Sequence, residues 1–306
     1  MRAPLRIGTR GSRLARAQTD LVCQALAAAR PELGAPGTLE PVVIRTTGDR
    51  ITDRPLAEFG GKGLFCKEIE AALLGGRIDL AVHSIKDLPT WLPDGLVLGA
   101  VLEREDPRDV LLARQPASIA GLPEGAVIGT ASVRRQAQLL ATRPDLRVVN
   151  FRGNVETRLR KLAEGEVDAT LLALAGLRRL GIAHEGAVLA PEEMLPAVGQ
   201  GAIGIECRAD DDAARALLAA IDHGASHACV RAERALLAAL DGSCHTPIAG
   251  HAAIADGRLH LRALIARVDG SECLRTERSG APEDAEALGA DAGAELRARA
   301  GAGFFD

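Results

Sequence analysis

The residues best placed to do chemistry fall in two polar segments. The first, His83-Ser84-Ile85-Lys86-Asp87, follows the apolar run Ile78–Val82 and ends at Leu88-Pro89. The second is an arginine series: Arg134 and Arg135 after Ser132, Arg152 before Gly153 and Asn154, then Arg158. A guanidinium is a planar fork that grips carboxylate or phosphate through two parallel hydrogen bonds. A carboxylate in a loop, such as Asp87, can shuttle a proton or stabilise a cation. Together they read as one acid–base and anion-binding site. It would take a molecule with many acidic groups and keep one carboxylate for the reaction.

The elements that must position these residues follow α/β grammar. Leu5-Arg6-Ile7 reads as a strand, and Ser12 is placed to cap a helix running to about Ala29. Val42-Val43-Ile44 is a second strand, Phe65 to Leu73 a helix stopped by Gly75-Gly76, and Ile78–Val82 a third strand. The same alternation recurs through Val110-Leu111-Leu112, Ala126–Gly129, a helix capped by Ser132, Arg147-Val148-Val149, a helix capped by Asn154, and Ala169–Ala173. It leads to Arg178-Arg179 and then to a strand at Ala202–Glu206. Beyond a helix near Ser226–Leu240 come three successive strands, near 248–254, 259–266 and 273–277, and a final helix from Pro282 to about Arg299. Strands without intervening helices indicate a separate antiparallel α+β domain.

In open α/β sheets, ligands sit beyond the carboxyl ends of strands, where helix N-termini offer free N–H groups. The turns at Arg10-Gly11-Ser12, Thr130-Ala131-Ser132 and Arg152-Gly153-Asn154 all have that character. Each also has a plainer reading, with Ser12, Ser132 and Asn154 as ordinary caps beside solvated arginines. For Asp87 the plainer reading is a solvated turn ended by Leu88-Pro89, and for His83 a satisfied buried histidine is the favoured one. The run Gly60-Gly61-Lys62-Gly63 lacks phosphate-loop spacing and reads better as a mobile lid. Cys244 lies in a turn between Gly242 and Pro247, where a thiol could be accessible.

Composition narrows the function classes. A net charge of -4 gives no global attraction to nucleic acid or an anionic membrane, so anion binding must be local. Five Phe, one Trp and no Tyr argue against recognition by aromatic stacking. No apolar run approaches membrane-spanning length, and no secretory signal follows Met1. The six cysteines form no C-x-x-C pair and no metal-ligand spacing, as expected for reduced thiols in a cytoplasmic protein with no metal.

Several longer stretches resemble the porphobilinogen deaminase (hydroxymethylbilane synthase) family. They are Gly60–Phe65, Ala81–Pro89, Glu103–Asp109, Gly129–Gln136, Arg152–Val155 and Leu195–Gly201. The resemblance runs from about Leu5 to the last helix. It implies two lobes like those of periplasmic binding proteins, with mainly parallel sheets, plus a small C-terminal α+β domain. The expected boundaries are 1–102 with 200–220, 103–199 and 221–306. It further implies a covalent dipyrromethane cofactor, one per chain, held by a thioether to Cys244. The activity implied is condensation of four porphobilinogen molecules into the linear tetrapyrrole hydroxymethylbilane, with loss of ammonia, by a cytoplasmic monomer.

By the same resemblance Asp87 is the catalytic carboxylate. Arg10, Ser12, Ser84, Lys86, Thr130, Ser132, Arg134, Arg135, Arg152, Gly153, Arg158 and Arg179 match positions that bind cofactor or substrate, and Lys62 and Phe65 belong to the lid. Glu58, Ala131 and the sequence Gly242-Ser243-Cys244-His245 depart from the usual pattern. A two-lobed, non-catalytic binder of small polyanions is the alternative that the lobes alone allow.

Overall fold

The computed structural model describes residues 4–50, 63, 65–115, 118–242 and 246–305. The chain begins with β1 (Leu5–Thr9) and α1 (Arg13–Ala29). Ser12 caps α1 by accepting from the Ala15 backbone N–H, and the helix buries Val22 and Leu26. Next come β2 (Leu39–Val43), the one-turn α2 (Thr47–Arg50) and α3 (Lys67–Leu74), which stops at Gly75. β3 (Leu80–Ser84) then runs into a single 3₁₀ turn, Ile85–Asp87, followed by β4 (Leu96–Val101).

The second series is β5 (Asp109–Ala113), β6 (Val127–Gly129), α4 (Val133–Thr142), β7 (Arg147–Val149), α5 (Val155–Ala163), β8 (Ala169–Ala173), α6 (Leu174–Arg179) and β9 (Ala187–Val188). β10 (Ile203–Arg208) and α7 (Asp212–Ala219) follow, then α8 (Gly224–Ala239). The tail is β11 (Ile248–Ala255), β12 (Arg258–Ala266), β13 (Cys273–Gly280) and α9 (Ala285–Ala300). Two compact units result: residues 1–104 with 202–227, and 105–201 with 228–306.

The two large sheets share one plan. Their strand orders are β2-β1-β3-β10-β4 and β7-β6-β8-β5-β9. In each, three strands joined by helices pair in parallel, and the other two pair antiparallel. In both sheets the antiparallel inner strand, β10 or β5, is the one the chain enters directly after leaving the other sheet. This is the two-lobed α/β plan, and β11-β12-β13 with α9 forms the small α+β part.

Burial explains the choice of strands. β3, β5, β8 and β10 are buried along almost their whole length, so they read as continuous apolar runs. β2 is an edge strand, which is why Pro41 is tolerated within it, and its first residues carry little apolar signal. β2 therefore begins at Leu39 rather than at the apolar Val42.

The antiparallel ladder sets the site in the first unit. Ile203 pairs with Ser84, Gly204 with His83, and Glu206 with Ala81. A side chain at position 204 has no room, because a Cβ there would lie 2.2 Å from Ile85 Cδ1. Ile85 thus packs onto the bare backbone of β10 and anchors the turn that carries Asp87.

Candidate functional site

In the first unit, Asp87 closes the 3₁₀ turn at the carboxyl end of β3, with its side chain 39% exposed. Its Oδ2 stands 4.0 Å from Arg10 Nη1, and the Arg10 guanidinium lies over the Phe65 ring, 4.0 Å from the centroid. A loose, partly exposed pair is worth at most about 1 kcal/mol, so the carboxylate remains available to a ligand. Arg10, Ser12, Phe65, His83, Ser84 and Asp87 all line one open cleft. Phe65 is a wall of this cleft, under Arg10. Lys86 is exposed in the middle of the turn.

His83 and Ser84 were expected in a loop but end the strand. The Ser84 hydroxyl exchanges hydrogen bonds with the Gln18 amide across 2.9 and 3.1 Å. His83 is buried, with Nε2 3.0 Å from Oε2 of the fully buried Glu206, close enough for an ion pair but out of line for a hydrogen bond. The favoured sequence reading of His83 as buried fits this, but its partner is a carboxylate that accepts no hydrogen bond among the described residues.

The second unit turns its arginines inward. Arg134 and Arg135 sit in the first turn of α4 with guanidiniums almost wholly buried. Arg134 Nη2 meets Asp109 Oδ2 at 2.9 Å, and Arg135 Nη2 meets Asp109 Oδ1 at 2.7 Å. Gln200 Nε2 adds a bond of 2.8 Å to Asp109 Oδ1. The remaining terminal nitrogens donate to the Leu195 and Leu171 carbonyls, each at 2.8 Å. Burial would push the Asp109 carboxyl up, but the two guanidinium charges and the hydrogen bonds from Arg135 and Gln200 hold it below the usual carboxylate range. Burial lowers Arg134 despite Asp109.

The carboxylate that both arginines grip is the protein's own. Only their Nε–H groups lack an acceptor among the described residues. Arg179 is likewise drawn inward, donating to the Gly201 carbonyl at 2.6 Å, and burial lowers it to about 10.

Thr130 Oγ1 accepts from the Ser132 backbone N–H, while the Ser132 and Asn154 side chains cap α4 and α5. Ser12 likewise caps α1. Arg152 and Arg158 are half-exposed at the start of α5, and Arg158 Nε donates to the Gly153 carbonyl at 2.8 Å. Gly153 has φ +133°, and a Cβ there would come within 2.7 Å of the Thr157 side chain. Ala131 is exposed. Lys62, Glu58 and Cys244 lie outside the described residues.

Residues 5–216 match the porphobilinogen deaminase dipyromethane cofactor binding domain, and residues 227–298 match the porphobilinogen deaminase C-terminal domain. The chain belongs to the porphobilinogen deaminase family. The chloroplastic porphobilinogen deaminase of Oryza sativa subsp. japonica is 54% identical over 99% of this chain and 86% of its own length. That of Paracoccus denitrificans is 57% identical over 99% and 96%. Among solved structures, an ABC transporter/periplasmic binding protein from Brucella ovis with glutathione bound aligns at TM-score 0.42 and 16% identity, covering 78% of this chain and 69% of that one.

The cofactor of this enzyme family is a dipyrromethane, and the first cleft suits such a group. Pyrrole rings offer N–H donors and carry acidic substituents. Asp87 is an exposed acceptor for the first, and Arg10 beside it is a donor fork for the second. No group of three metal-ligating side chains occurs among the described residues, and no described helix is long and apolar enough to cross a membrane.

The sequence reading missed Gln18, Cys66, Glu70 and Glu206 around this cleft, and Asp109, Gln138 and Gln200 in the second unit. Asp109 and Glu206 carried a signal: each is the one acid in a mainly apolar strand, at the start of β5 and within β10. A charge in such a run needs a partner.

Proposed function

We propose that this protein condenses four porphobilinogen molecules head to tail, with loss of ammonia, into the linear tetrapyrrole hydroxymethylbilane. The dipyrromethane, held by a thioether on Cys244, supplies the nucleophilic ring carbon on which the chain grows. A cytoplasmic location and a monomeric state belong to the same reading. The observation that carries it is the Asp87–Arg10 arrangement: a half-exposed carboxylate with a guanidinium 4.0 Å away, both lining one open cleft.

Each pyrrole brings an acetate and a propionate, so bound chains gain two negative charges per ring. Arg10, Lys86, Arg152 and Arg158 are the accessible cations we assign to these groups. A well-made charge-assisted hydrogen bond contributes about 1.5–3 kcal/mol. Asp87 accepts the pyrrole N–H and stabilises the cation that develops as ammonia leaves. The same carboxylate then takes up the proton released on coupling. Within the second unit, Arg134, Arg135 and Arg179 hold Asp109 and the Leu171, Leu195 and Gly201 carbonyls in place.

The experiment is an assay of ammonia release from porphobilinogen together with intact mass. Active protein should be heavier than its sequence by two pyrrole units and gain further units stepwise with substrate. Unmodified mass in active protein would refute the covalent cofactor, and absence of ammonia would refute the reaction.

A further inference from the structure

Behind the cleft lies a set of titratable groups that the reaction as described leaves unused. Glu206 on β10 is fully buried, and neither carboxylate oxygen has a hydrogen-bond partner among the described residues. His83 Nε2 lies 3.0 Å from its Oε2. Glu70 and Cys66, both buried, face them from α3, which packs on β3 and β10. His83 and Cys66 also line the cleft that holds Asp87.

Glu233 shows how this protein buries a glutamate for structure alone. It is equally sealed, yet its two oxygens accept the Gly199 and Ala252 backbone N–H groups at 2.6 and 2.7 Å. Glu206 has no such satisfaction. Burying a carboxylate without donors costs several kcal/mol unless a charge or proton compensates. The buried Glu70 carboxyl, beside the buried Glu206, is the acid of this set that favours keeping its proton. Burial and then the charge of Glu206 raise the Glu70 carboxyl, against the opposing effects of the Cys66 thiol and His83. The set meets the cleft through His83.

We propose that His83, backed by Glu206 and Glu70, relays the proton that each coupling releases, taking it from Asp87. This rests on the deaminase reading. Coupling breaks a C–N bond, whose electron pair leaves with ammonia, and forms a C–C bond from a ring electron pair. A ring C–H bond then breaks, its pair restoring the aromatic ring, and one proton is left for a base. Asp87 receives that proton in the cleft and must be cleared before the next turn. His83 lies four residues upstream on the same rim and passes the proton to the pair. Solvent takes it at the open cleft when the product chain advances. His83 is a positioning and relay residue; Asp87 remains the group that meets the substrate.

The test has two arms. In the first, infrared spectra of the purified protein are compared with those of Glu70→Gln and Glu206→Gln. Porphobilinogen and catalysis play no part. A protonated-carboxyl band at neutral pH should vanish in Glu70→Gln and weaken in Glu206→Gln, since removing that charge eases the proton off Glu70. Absence of the band, or a band indifferent to Glu206, overturns the proton-holding cluster. In the second arm, kcat for ammonia release should fall about 10²-fold in His83→Gln, the lower edge of general acid–base catalysis, with KM nearly unchanged. Its rate in H₂O/D₂O mixtures should vary linearly, where the unaltered protein gives a curved, multi-proton dependence. A curved dependence retained in His83→Gln, or an unchanged kcat, overturns the relay, because a purely structural residue would alter neither. Should Glu206→Gln fail to fold, Glu70→Gln decides the first arm and His83→Gln the second. Protein that releases no ammonia refutes the deaminase reading and the relay with it, while the band still decides the cluster.

Discussion

The Arg134 guanidinium meets the Asp109 carboxylate at 2.9 Å, and neither group reaches solvent. Arg135 and Gln200 complete the cage from other directions, so one carboxylate ties α4, β5 and the segment before β10. Removing one partner of such a cage leaves charge buried without compensation, at a cost of about 3–5 kcal/mol. Asp109→Ala should therefore lower the unfolding midpoint sharply in thermal or denaturant melts. A variant as stable as the parent would mean the cage contributes nothing net.

The same carboxylate fixes a direction for acid sensitivity. Asp109 is held below its ordinary value in the folded state, so its stabilisation is fully present above the unfolded value, about 3.9. It is lost as pH falls through the folded value. Stability measured from pH 5 downward should thus fall, and Asp109→Asn, already less stable at neutral pH, should show a shallower fall. An equal slope in both proteins would assign the acid sensitivity to other carboxylates.

Asp87 makes the opposite kind of contact, a loose one, and its loss should tell in rate rather than stability. Asp87→Ala should retain its melting temperature and its bound cofactor while kcat drops by at least about 10²–10⁴-fold, the span of general acid–base catalysis. Single-turnover ammonia release with intact mass as the check on cofactor separates the two effects. Near-normal turnover would remove Asp87 from the mechanism.

Much of this arrangement was legible in the sequence because apolar strands and polar turns are local signals. β3, β8, α4 and α5 stand almost where periodicity and caps put them. What was illegible is where a long side chain turns. Arg134 and Arg152 look alike as arginines beside strand-to-helix turns, yet the first is buried on Asp109 and the second half-exposed. The difference lies in Asp109, about twenty-five residues earlier and on another strand, and no periodicity reports such a pairing. β4 and α7 escaped for a local reason: β4 is an edge strand broken by Gly99, and α7 starts in the acidic run Asp210-Asp211-Asp212.

That difference separates two arginines experimentally. Arg152→Ala should weaken the loading of cofactor or raise KM, with little change in melting temperature, because the side chain is half-exposed. Arg134→Ala should instead melt earlier by several degrees, having left Asp109 one charge short. Paired melts and substrate titrations on the two variants check this; equal stability loss in both would contradict the inward placement of Arg134.

Gly204 tests the seat of the catalytic turn itself. A Cβ at this position would meet Ile85 Cδ1 at 2.2 Å and Leu98 Cδ1 at 2.8 Å. Ile85 is fully buried and begins the turn that ends at Asp87, so it can yield only by moving that turn or leaving its rotamer. Forcing a methyl group into such packing costs about 1–3 kcal/mol. Gly204→Ala should lose that much in denaturant melts and lower kcat through misplacement of Asp87. The double variant Gly204→Ala with Ile85→Val, which removes the Cδ1 methyl, should recover part of both. Rate loss without any recovery in the double variant would show that the β10 backbone, and not the Ile85 contact, holds Asp87 in place.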